Sequence, residues 1–543
     1  MRQMIEGVFD FFNLKKNKTI LLALIFLLGI FLRVYHFHDW LNFEQDQARD
    51  AVLTDNVIIG KAAWPLLGPS MRKSNSASGE LFHLGPIYYQ LQIISAKIFG
   101  NYPDKLAYPD LFFGILTILL LHCFFKKYFS ANLSLALTGL YAISYYAIEY
   151  SRFAWNPNPI PFFVILFLLS LYEFLINKEK TGWIWAVFLG TAIGVGIQLH
   201  IILLLLFPAT TLFVFAYLLK QNKKIISHFF LVLAIIFIFN LNQLISEYRD
   251  NFVNTKILLS SSSEKMNLLE GLEKDLDYHI ETNPYILSSL GDDTCDFSFV
   301  RLLSGDNNKQ FRRSLHDFSF TIELFFGLLF SVFGYTTLIY FLKKEQDEKK
   351  RYFLGLISLY LLFSFLIMSA VIRTGMNEYR YFIHCFFVPF LFLGFLAQKL
   401  VKKYIMLVML VFIFLTITNF GSLEKEYQAL STENKNSENL VVLGETEKMA
   451  DYLAAGADKN GKIYLVGNTR YVSNFFRSLS YLLKKRGLVI INSGSEGVIP
   501  SDGSAFYIWE SGAEKTEQTL DGKKIESAWN LGQIGIYKLK NRN

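Results

Sequence analysis

An apolar run, Thr19-Ile-Leu-Leu-Ala-Leu-Ile-Phe-Leu-Leu-Gly-Ile-Phe-Leu-Arg-Val-Tyr35, is followed by a polar cluster, Asn42-Phe-Glu44-Gln-Asp46-Gln-Ala-Arg49-Asp50, and the two together indicate the fold class. A run of about 17 apolar residues is long enough to cross a bilayer as a helix. Acidic side chains are costly near hydrocarbon, so three carboxylates directly beyond a predicted span favour a functional site. An ordinary solvated loop is the alternative that this stretch leaves open.

The composition is that of a polytopic membrane protein. Of the 543 residues, 52% are hydrophobic and only 18% are charged, and apolar runs of membrane-spanning length recur along the chain. The net charge of +7 comes from lysines that lie between these runs, where membrane topology accounts for them, so no nucleic-acid partner is expected. No small-residue cleavage site follows the first run, which predicts a retained anchor rather than a signal peptide.

Eleven apolar runs predict about eleven transmembrane helices. They lie at about 19–35, 106–125, 131–148, 160–176, 183–198, 201–219, 225–243, 318–342, 353–372, 381–398 and 404–420.

One further run, 85–100, is short and carries Gln90, Gln92 and Lys97. If it does not cross the membrane, all six short lysine-bearing segments face the cytoplasm, as the positive-inside rule requires. We therefore predict that it is an amphipathic helix at the outer surface, with the N-terminus cytoplasmic. The long polar segments then share the outer side: 37–105, 149–159, 244–317, 373–380 and 421–543.

The last section of the chain predicts a small extracytoplasmic α/β domain at 421–543, after a transmembrane domain at 1–420. Strand patterns alternate with one amphipathic helix, Ser473 to Lys485, and no glycine-rich nucleotide-binding motif is present. A lid or acceptor platform without chemistry of its own is the favoured interpretation. The predicted strands are Leu440–Leu443, Lys462–Val466, Leu488–Asn492, Ala505–Trp509 and Ile534–Leu539.

Asp46 is the leading candidate for a catalytic base, because a carboxylate near an apolar boundary can take a proton from an attacking hydroxyl. Glu44 lies two residues before it, and the pair could hold a divalent cation or only alter the local charge. Arg49 falls on the same face of a helix and can orient Asp46 or bind phosphate. The alternative is a helix start enriched in acids, which the helix dipole stabilises.

Five more residues on the predicted outer side are candidates for binding substrate or phosphate. Each has a structural alternative, such as a surface histidine, an aromatic belt or a membrane boundary. They are His83, Tyr88, Arg152, His200 and Arg380.

Three motifs in order resemble the GT-C superfamily of integral-membrane glycosyltransferases, of the protein O-mannosyltransferase and lipid A aminoarabinose transferase type. They are Asp46-Gln-Ala-Arg49-Asp-Ala, His83-Leu-Gly-Pro86-Ile-Tyr-Tyr and Tyr150-Ser-Arg152-Phe-Ala-Trp-Asn-Pro-Asn-Pro.

The resemblance implies a polyprenyl-phosphate-linked sugar donor, an inverting transfer outside a bacterial-type plasma (inner) membrane, and a catalytic role for Asp46. Leu84 stands where some members carry a phosphate-binding lysine, so Arg49, Arg152, Arg380 or His200 would have to bind the phosphate. Gln47 replaces a glutamate of the protein mannosyltransferases. The acceptor therefore stays open as a protein, a lipid or a glycan.

The predicted function is thus a polytopic membrane glycosyltransferase that works among membrane lipids. A lipid phosphate leaves readily, so the reaction needs a base and cationic groups but no general acid. A divalent cation at Glu44 and Asp46 stays open as a cofactor. The alternatives are a transporter of lipid-linked sugars or polymers and a non-catalytic envelope assembly protein.

Overall fold

A computed structural model describes residues 15–75, 81–176, 182–260, 268–290, 318–371, 379–432, 441–467, 469–493, 502–511, 519–520 and 523–540. The helices are α1 (Lys15–Val34), α2 (Gln45–Ile58), α3 (Ile87–Phe99), α4 (Pro103–Leu106), α5 (Tyr108–Phe125), α6 (Ala131–Ile143), α7 (Tyr145–Glu149), α8 (Ile160–Ile176), α9 (Gly182–Leu199), α10 (Ile201–Gln221), α11 (Ile226–Phe239), α12 (Leu241–Arg249), α13 (Val253–Ser260), α14 (Leu268–Ser288), α15 (Phe318–Lys344), α16 (Glu348–Val371), α17 (Val388–Ser431), α18 (Leu443–Ala455) and α19 (Thr469–Lys485).

Apolar helices make this a multi-pass membrane protein. Seven described helices are long and apolar enough to cross a bilayer, or eight if the pair 223–239 and 241–249, bent by 63°, is one span. Two shorter apolar helices, α6 and α8, pack among them. Every predicted run contains a helix, and the total of eleven spans stays a prediction.

Helix α17 reverses direction at Tyr404, the one residue inside it with non-helical backbone angles. The ring of Tyr141 packs 5.6 Å from that of Phe390, before the break. One turn further along the same part of the chain, the backbone N–H of Tyr145 donates to Asn419, after the break. Both arms therefore reach the same level of the bundle, as two antiparallel helices would.

The polar segments separate to the two ends of the helical bundle. At one end, Lys127 pairs with Glu173 and Lys350 lies 5.6 Å from the ring centre of Tyr128. At the other end, which we call the outer-loop end, the predicted outer segments contact one another: Gln47 donates to the carbonyl of Ala154, and Asn156 to that of Leu199. The predicted segments 178–180, 291–317 and 373–378 lie outside the described residues.

The run at 85–100 forms α3, a helix of 13 residues. Such a helix is about 20 Å long, too short to cross the hydrocarbon core. Its buried face, which includes Tyr88, Tyr89 and Ile93, packs on α2, α5 and α9, while Ile98 and Phe99 are exposed. A short antiparallel hairpin, β1 (Ser70–Asn75) with β2 (Leu81–His83), precedes it.

The described part of the predicted outer loop 244–317 contains three helices that the sequence pattern did not reveal. Helices α12 and α13 follow the bend after α11, and α14 packs against α15, α16 and α17. Helix α14 is polar for such a position. Its Asp275 is buried and accepts a hydrogen bond from Ser369, and His279 lies against Tyr335. These internal partners explain why a polar helix packs within the bundle.

The chain ends in a six-stranded sheet with helices α18 and α19 packed beside it, and we call residues 441–540 the C-terminal unit. The strand order is β4-β3-β5-β8-β7-β6, with β4, β3 and β5 parallel and the others antiparallel. The strands are β3 (Lys462–Gly467), β4 (Val489–Asn492), β5 (Ser504–Glu510), β6 (Thr519–Leu520), β7 (Lys523–Leu531) and β8 (Ile534–Leu539).

One predicted strand of this unit is wrong, and two strands were missed. Residues 441 and 442 make only a bridge, between Val442 and Asn42, and α18 begins at Leu443. Leu440 lies outside the described residues. Strands β6 and β7 escaped prediction because Lys523–Leu531 reads as a polar, charged segment. It pairs with β8 at the edge side of the sheet, where polar residues are tolerated.

Candidate active site

The Asp46 motif forms the first turn of α2. Glu44 precedes the helix, and its backbone N–H donates to the side chain of Gln47 at 3.1 Å. Ala48 and Ala51 on the opposite face are buried. Asp46 lies in the first turn, where the helix dipole favours a negative charge.

Arg49 lies between two carboxylates. Its Nη1 donates to Oδ1 of Asp46 at 2.9 Å, and its Nη2 and Nε contact Oδ1 of Asp50 at 2.7 and 2.9 Å. The Asp46 side chain is 45% exposed and that of Asp50 only 5%. The buried carboxylate thus fixes the guanidinium, and the exposed one remains accessible to a substrate.

Burial raises the pKa of Asp50 to about 6, although the charge of Arg49 and a hydrogen bond from Tyr89 act in the opposite direction. Burial lowers the pKa of Arg49, but the charges of Asp50 and Asp46 outweigh it and raise that pKa above its ordinary value. Asp50 therefore titrates close to neutral pH while Arg49 stays charged. Sequence patterns assigned Asp50 little weight, and Tyr89, on the neighbouring helix, had no signal beyond its position beside Tyr88.

Tyr88 and His83 are both held by structural contacts. The Tyr88 side chain is fully buried, and its hydroxyl donates to Asp110 at 2.9 Å. His83 Nδ1 lies 3.0 Å from the carbonyl of Gly68, and Asn254 of α13 bonds both backbone groups of His83. His83 thus lines a groove between the hairpin and α12–α13, and these contacts hold it there.

Arg152 binds the end of α1. Its Nη1 donates to the carbonyls of Leu32 and Arg33 at 3.1 and 3.3 Å, and the guanidinium lies 5.8 Å from the ring centre of Tyr427. A helix C-terminus leaves carbonyls without helical partners, and a buried arginine satisfies them. The pKa of Arg152 is lowered by burial.

The structure describes the side chain of His200 but not that of Arg380. His200 is the N-cap of α10, and its Nδ1 accepts from the backbone N–H of Ile202 at 3.3 Å. The backbone of Arg380 lies in a short helix, Tyr379–Cys385, and its side chain lies outside the described part of the structure. Among the predicted binding residues, Arg49 directly contacts Asp46.

Within the described residues, no group of three or more His, Cys, Asp or Glu side chains has the arrangement to hold a metal ion. Glu44 accepts a weak hydrogen bond from Asn42 at 3.4 Å. A divalent cation at Glu44 and Asp46 therefore stays a prediction.

The C-terminal unit holds both ends of α2. Before the helix, the carbonyl of Phe43 accepts from Ser478 at 2.5 Å; at its start, Gln45 donates to the carbonyl of Ser473 at 2.9 Å. At the end of α2, Asp55 pairs with Lys485 at 2.5 Å. These partners lie far away in the chain, so the sequence offered no signal for them.

A second connection joins the C-terminal unit to the segment before α2. His38 bridges Asp104 at 3.1 Å and Glu447 at 3.2 Å, and the Tyr102 hydroxyl donates to Glu447. Burial lowers the pKa of His38, but the hydrogen bond to Asp104 and the charge of Glu447 outweigh it and raise the pKa above its ordinary value. The C-terminal unit thus contacts both ends of α2 and the segment that precedes it.

Residues 83–242 match the family of dolichyl-phosphate-mannose-protein mannosyltransferases. The matched segment includes His83, Arg152 and His200 and begins after Asp46. It confirms the resemblance to GT-C membrane glycosyltransferases that the motifs predicted. No curated protein matches the sequence.

Solved structures that are similar to the chain include two of one protein and one of another. ArnT from Cupriavidus metallidurans in the apo state is 12% identical, with 96% of this chain and 97% of that chain covered and a TM-score of 0.45. The same protein bound to undecaprenyl phosphate is 12% identical, with the same coverage and a TM-score of 0.44. The Archaeoglobus fulgidus oligosaccharyltransferase in the apo form is 13% identical, with 86% and 64% covered and a TM-score of 0.43.

Proposed function

We propose that the chain is an inverting glycosyltransferase that moves a sugar from a polyprenyl-phosphate-linked donor to an acceptor hydroxyl. The observation that carries this proposal is the accessible carboxylate of Asp46, paired with Arg49 at the outer-loop end of a membrane bundle. The family match and the three motifs support the donor class. The accessible carboxylate and the adjacent cation are the two groups that such a transfer needs.

In the proposed step, the acceptor oxygen attacks the anomeric carbon of the donor from the face opposite the phosphate. The new carbon–oxygen bond forms as the bond to the phosphate oxygen breaks, and the phosphate leaves with that electron pair. Asp46 takes the proton of the acceptor hydroxyl. Attack from the opposite face inverts the anomeric configuration.

Arg49 supplies positive charge for the departing phosphate. Its contact with Asp46 is partly exposed, so a phosphate oxygen can compete for the guanidinium, while its contacts with Asp50 keep it in place. Asp50 is then a positioning residue that acts through Arg49. Because an arginine is held by a buried carboxylate on one side, its other edge is already oriented for the substrate.

The same proposal implies an orientation of the chain in the membrane. The lysine-bearing end would face the cytoplasm, and the outer-loop end with the C-terminal unit would lie outside the plasma membrane. The domains would divide near residue 420, with the C-terminal unit holding α2 rather than carrying out chemistry.

The test is transfer from a panel of radiolabelled polyprenyl-phosphate sugars by the purified full chain, with endogenous membrane extract as acceptor. We expect one donor to be consumed and Asp46→Asn to lower the rate by about 10²–10⁴-fold. Asp502→Asn is the matched control, because Asp502 is 48% exposed and paired with Lys462 in the C-terminal unit. An Asp46→Asn chain that folds and transfers at the wild-type rate would refute the mechanism.

A further inference from the structure

A groove of about 1030 Å³ lies between the outer-loop end of the bundle and helix α18 of the C-terminal unit. One wall is formed by the end of α1 and the turn at residues 35–40, another by the last turns of α17, and the third by the first turns of α18. Its volume is at the upper limit of small-molecule sites, which suits an elongated ligand of several rings.

Aromatic rings form one wall of this groove. The ring of His36 stacks on Trp40 at 4.5 Å with 22° between the planes, and Trp40 packs 5.2 Å from Tyr427. Tyr35 contacts Trp40 and Tyr427 at 5.5 and 5.6 Å. His36 has a positive φ of 47°, which ends α1 and turns its ring onto Trp40. These contacts fix the rings in position, and Tyr35 remains 38% exposed.

Carboxylates surround this aromatic wall. Among the described residues, five of them line the groove, against a single lysine, Lys448. Glu447 is also paired with His38 and Asp451 with Arg486, and Asp39 lies 3.3 Å from His36. Asp39 and Glu424 are exposed at its surface, and Glu445 is 5% exposed at its base. Such a lining repels phosphate, so the donor's phosphate does not fit here, and it favours ammonium groups, which also bind aromatic faces. The carboxylates are Asp39, Glu424, Glu445, Glu447 and Asp451.

The groove is connected to the Asp46 segment. Val442, in its wall, forms the bridge to Asn42, and the backbone N–H of Phe43 donates to the carbonyl of Val441 at 2.8 Å. The wall of the groove therefore continues directly into the residues that precede Glu44. An aromatic belt, in contrast, presents separate rings to lipid and needs neither a concave surface nor carboxylates.

We infer that this groove binds the acceptor, and that the acceptor is a glycan with free amino groups. The aromatic wall takes the apolar faces of the sugar rings, and the carboxylates take ammonium groups and hydroxyls. The role of the glycan as an acceptor rests on the proposed transferase function. Binding of the glycan to the groove does not depend on that function and is measured without a donor.

The test is binding of glucosamine hexamer to the detergent-solubilised full chain, measured by microscale thermophoresis. The comparison ligands are the N-acetylated hexamer, which lacks the charges, and hexalysine, which lacks the rings. We expect the glucosamine hexamer to bind at least about tenfold more tightly than either, and its affinity to fall with added salt.

The variant for this test is Asp39→Asn combined with Glu424→Gln, since both side chains are exposed and neither supports a buried core. We expect the double variant to weaken hexamer binding by about tenfold. The control is Glu526→Gln, because Glu526 is an exposed carboxylate in β7 that pairs with Lys538. Tyr35→Ala should weaken binding of the hexamer without changing its salt dependence. The thermal unfolding midpoint of each variant reports whether it is folded.

Equal binding of hexalysine or of the N-acetylated hexamer would overturn the inference, and so would unchanged binding by the folded double variant. Failure of the transferase proposal gives a different result. In that case the hexamer still binds and the double variant still weakens it, while no donor sugar is consumed. If both proposals hold, the double variant raises KM for the acceptor and leaves kcat unchanged.

Discussion

The two ends of helix α2 use the same residue types for opposite purposes. At its start, Arg49 contacts both Asp46 and Asp50. The buried Asp50 orients the guanidinium, and Asp46 is accessible to a substrate. At its end, Asp55 is enclosed by Lys485 and other donors from the C-terminal unit and from the loop after α3. The first arrangement leaves charge available for a substrate, and the second satisfies its charge within the protein.

The pKa values of the two buried carboxylates show this difference. Burial raises that of Asp50 to about 6. Burial also raises that of Asp55, but Lys485 outweighs it and the net pKa is lowered. Ionisation of Asp50 therefore lowers the free energy of unfolding as pH rises from about 4 to 6. Protonation of Asp55 lowers the free energy of unfolding as pH drops below about 4. A carboxylate that weakens the fold when ionised is expected at a functional site.

The largest effect on this comparison is expected from Arg49. Arg49→Ala should lower kcat by about 10²–10³-fold, because the departing phosphate loses its nearest cation. Arg49→Lys should recover part of the rate, since lysine keeps the charge but not the two-sided geometry. Single-turnover transfer measures both, and Arg351→Ala, at the lysine-bearing end, should transfer normally. If the Arg49→Ala protein transferred as fast as wild type, the start of α2 would also be only structural.

The next largest effect is expected from Asp50, and it is seen in the pH dependence of the transfer rate. The wild-type rate should fall as pH decreases through about 6, because protonated Asp50 no longer holds Arg49 by charge. Asp50→Asn should be about tenfold slower at pH 7.5 and lack this transition. Tyr89→Phe should move the transition to higher pH, since the Tyr89 hydrogen bond lowers the pKa of Asp50. A transition that persists in Asp50→Asn would assign it to another group.

A smaller effect is expected at the other end of the helix. Asp55→Asn should lower the free energy of unfolding by about 1 kcal/mol at neutral pH, because Lys485 is partly exposed. The difference should vanish as pH falls below about 4. Thermal unfolding across pH measures it, and the exchange Asp55→Lys with Lys485→Asp should restore most of the stability. No recovery in the exchanged pair would mean that the ion pair is not what stabilises this end.

The smallest effect is expected from His38. The raised pKa of His38 means that its bridge to Glu447 and Asp104 stabilises the fold below pH 6.5 and is lost as pH rises through the folded value. His38→Gln should therefore lower the free energy of unfolding at pH 6 by less than about 1 kcal/mol and match wild type at pH 8.5, as measured by denaturant unfolding. An equal loss at both pH values would indicate packing rather than charge.

Local spacing made part of the site predictable. Asp46 and Arg49 are three residues apart on a helix start, and that spacing predicts the contact that the structure contains. The hydrophobic runs predicted where helices lie, because membrane helices depend on composition over a single segment. The strand patterns at 462–466 and 534–539 were equally local, and both strands formed.

Long-range partners were not predictable. Arg152 looked available to bind phosphate. The sequence does not show that its guanidinium donates to the carbonyls of Leu32 and Arg33 at the end of α1. Helix α14 looked like part of an outer loop, since polar residues such as Asp275 find partners in helices distant in sequence. The support of Asp55 by Lys485 spans 430 residues and has no local signature.

That separation has a consequence for the synthesis of the protein. Ser473, Ser478 and Lys485, which hold helix α2, are synthesised 428 to 435 residues after the residues that they contact. Long-range contacts of this kind form last, after every membrane helix between them has been inserted. A nascent chain would thus carry Asp46 on a helix that lacks its contacts with α19. Synthesis of α19 is therefore the step at which both ends of α2 first gain these partners.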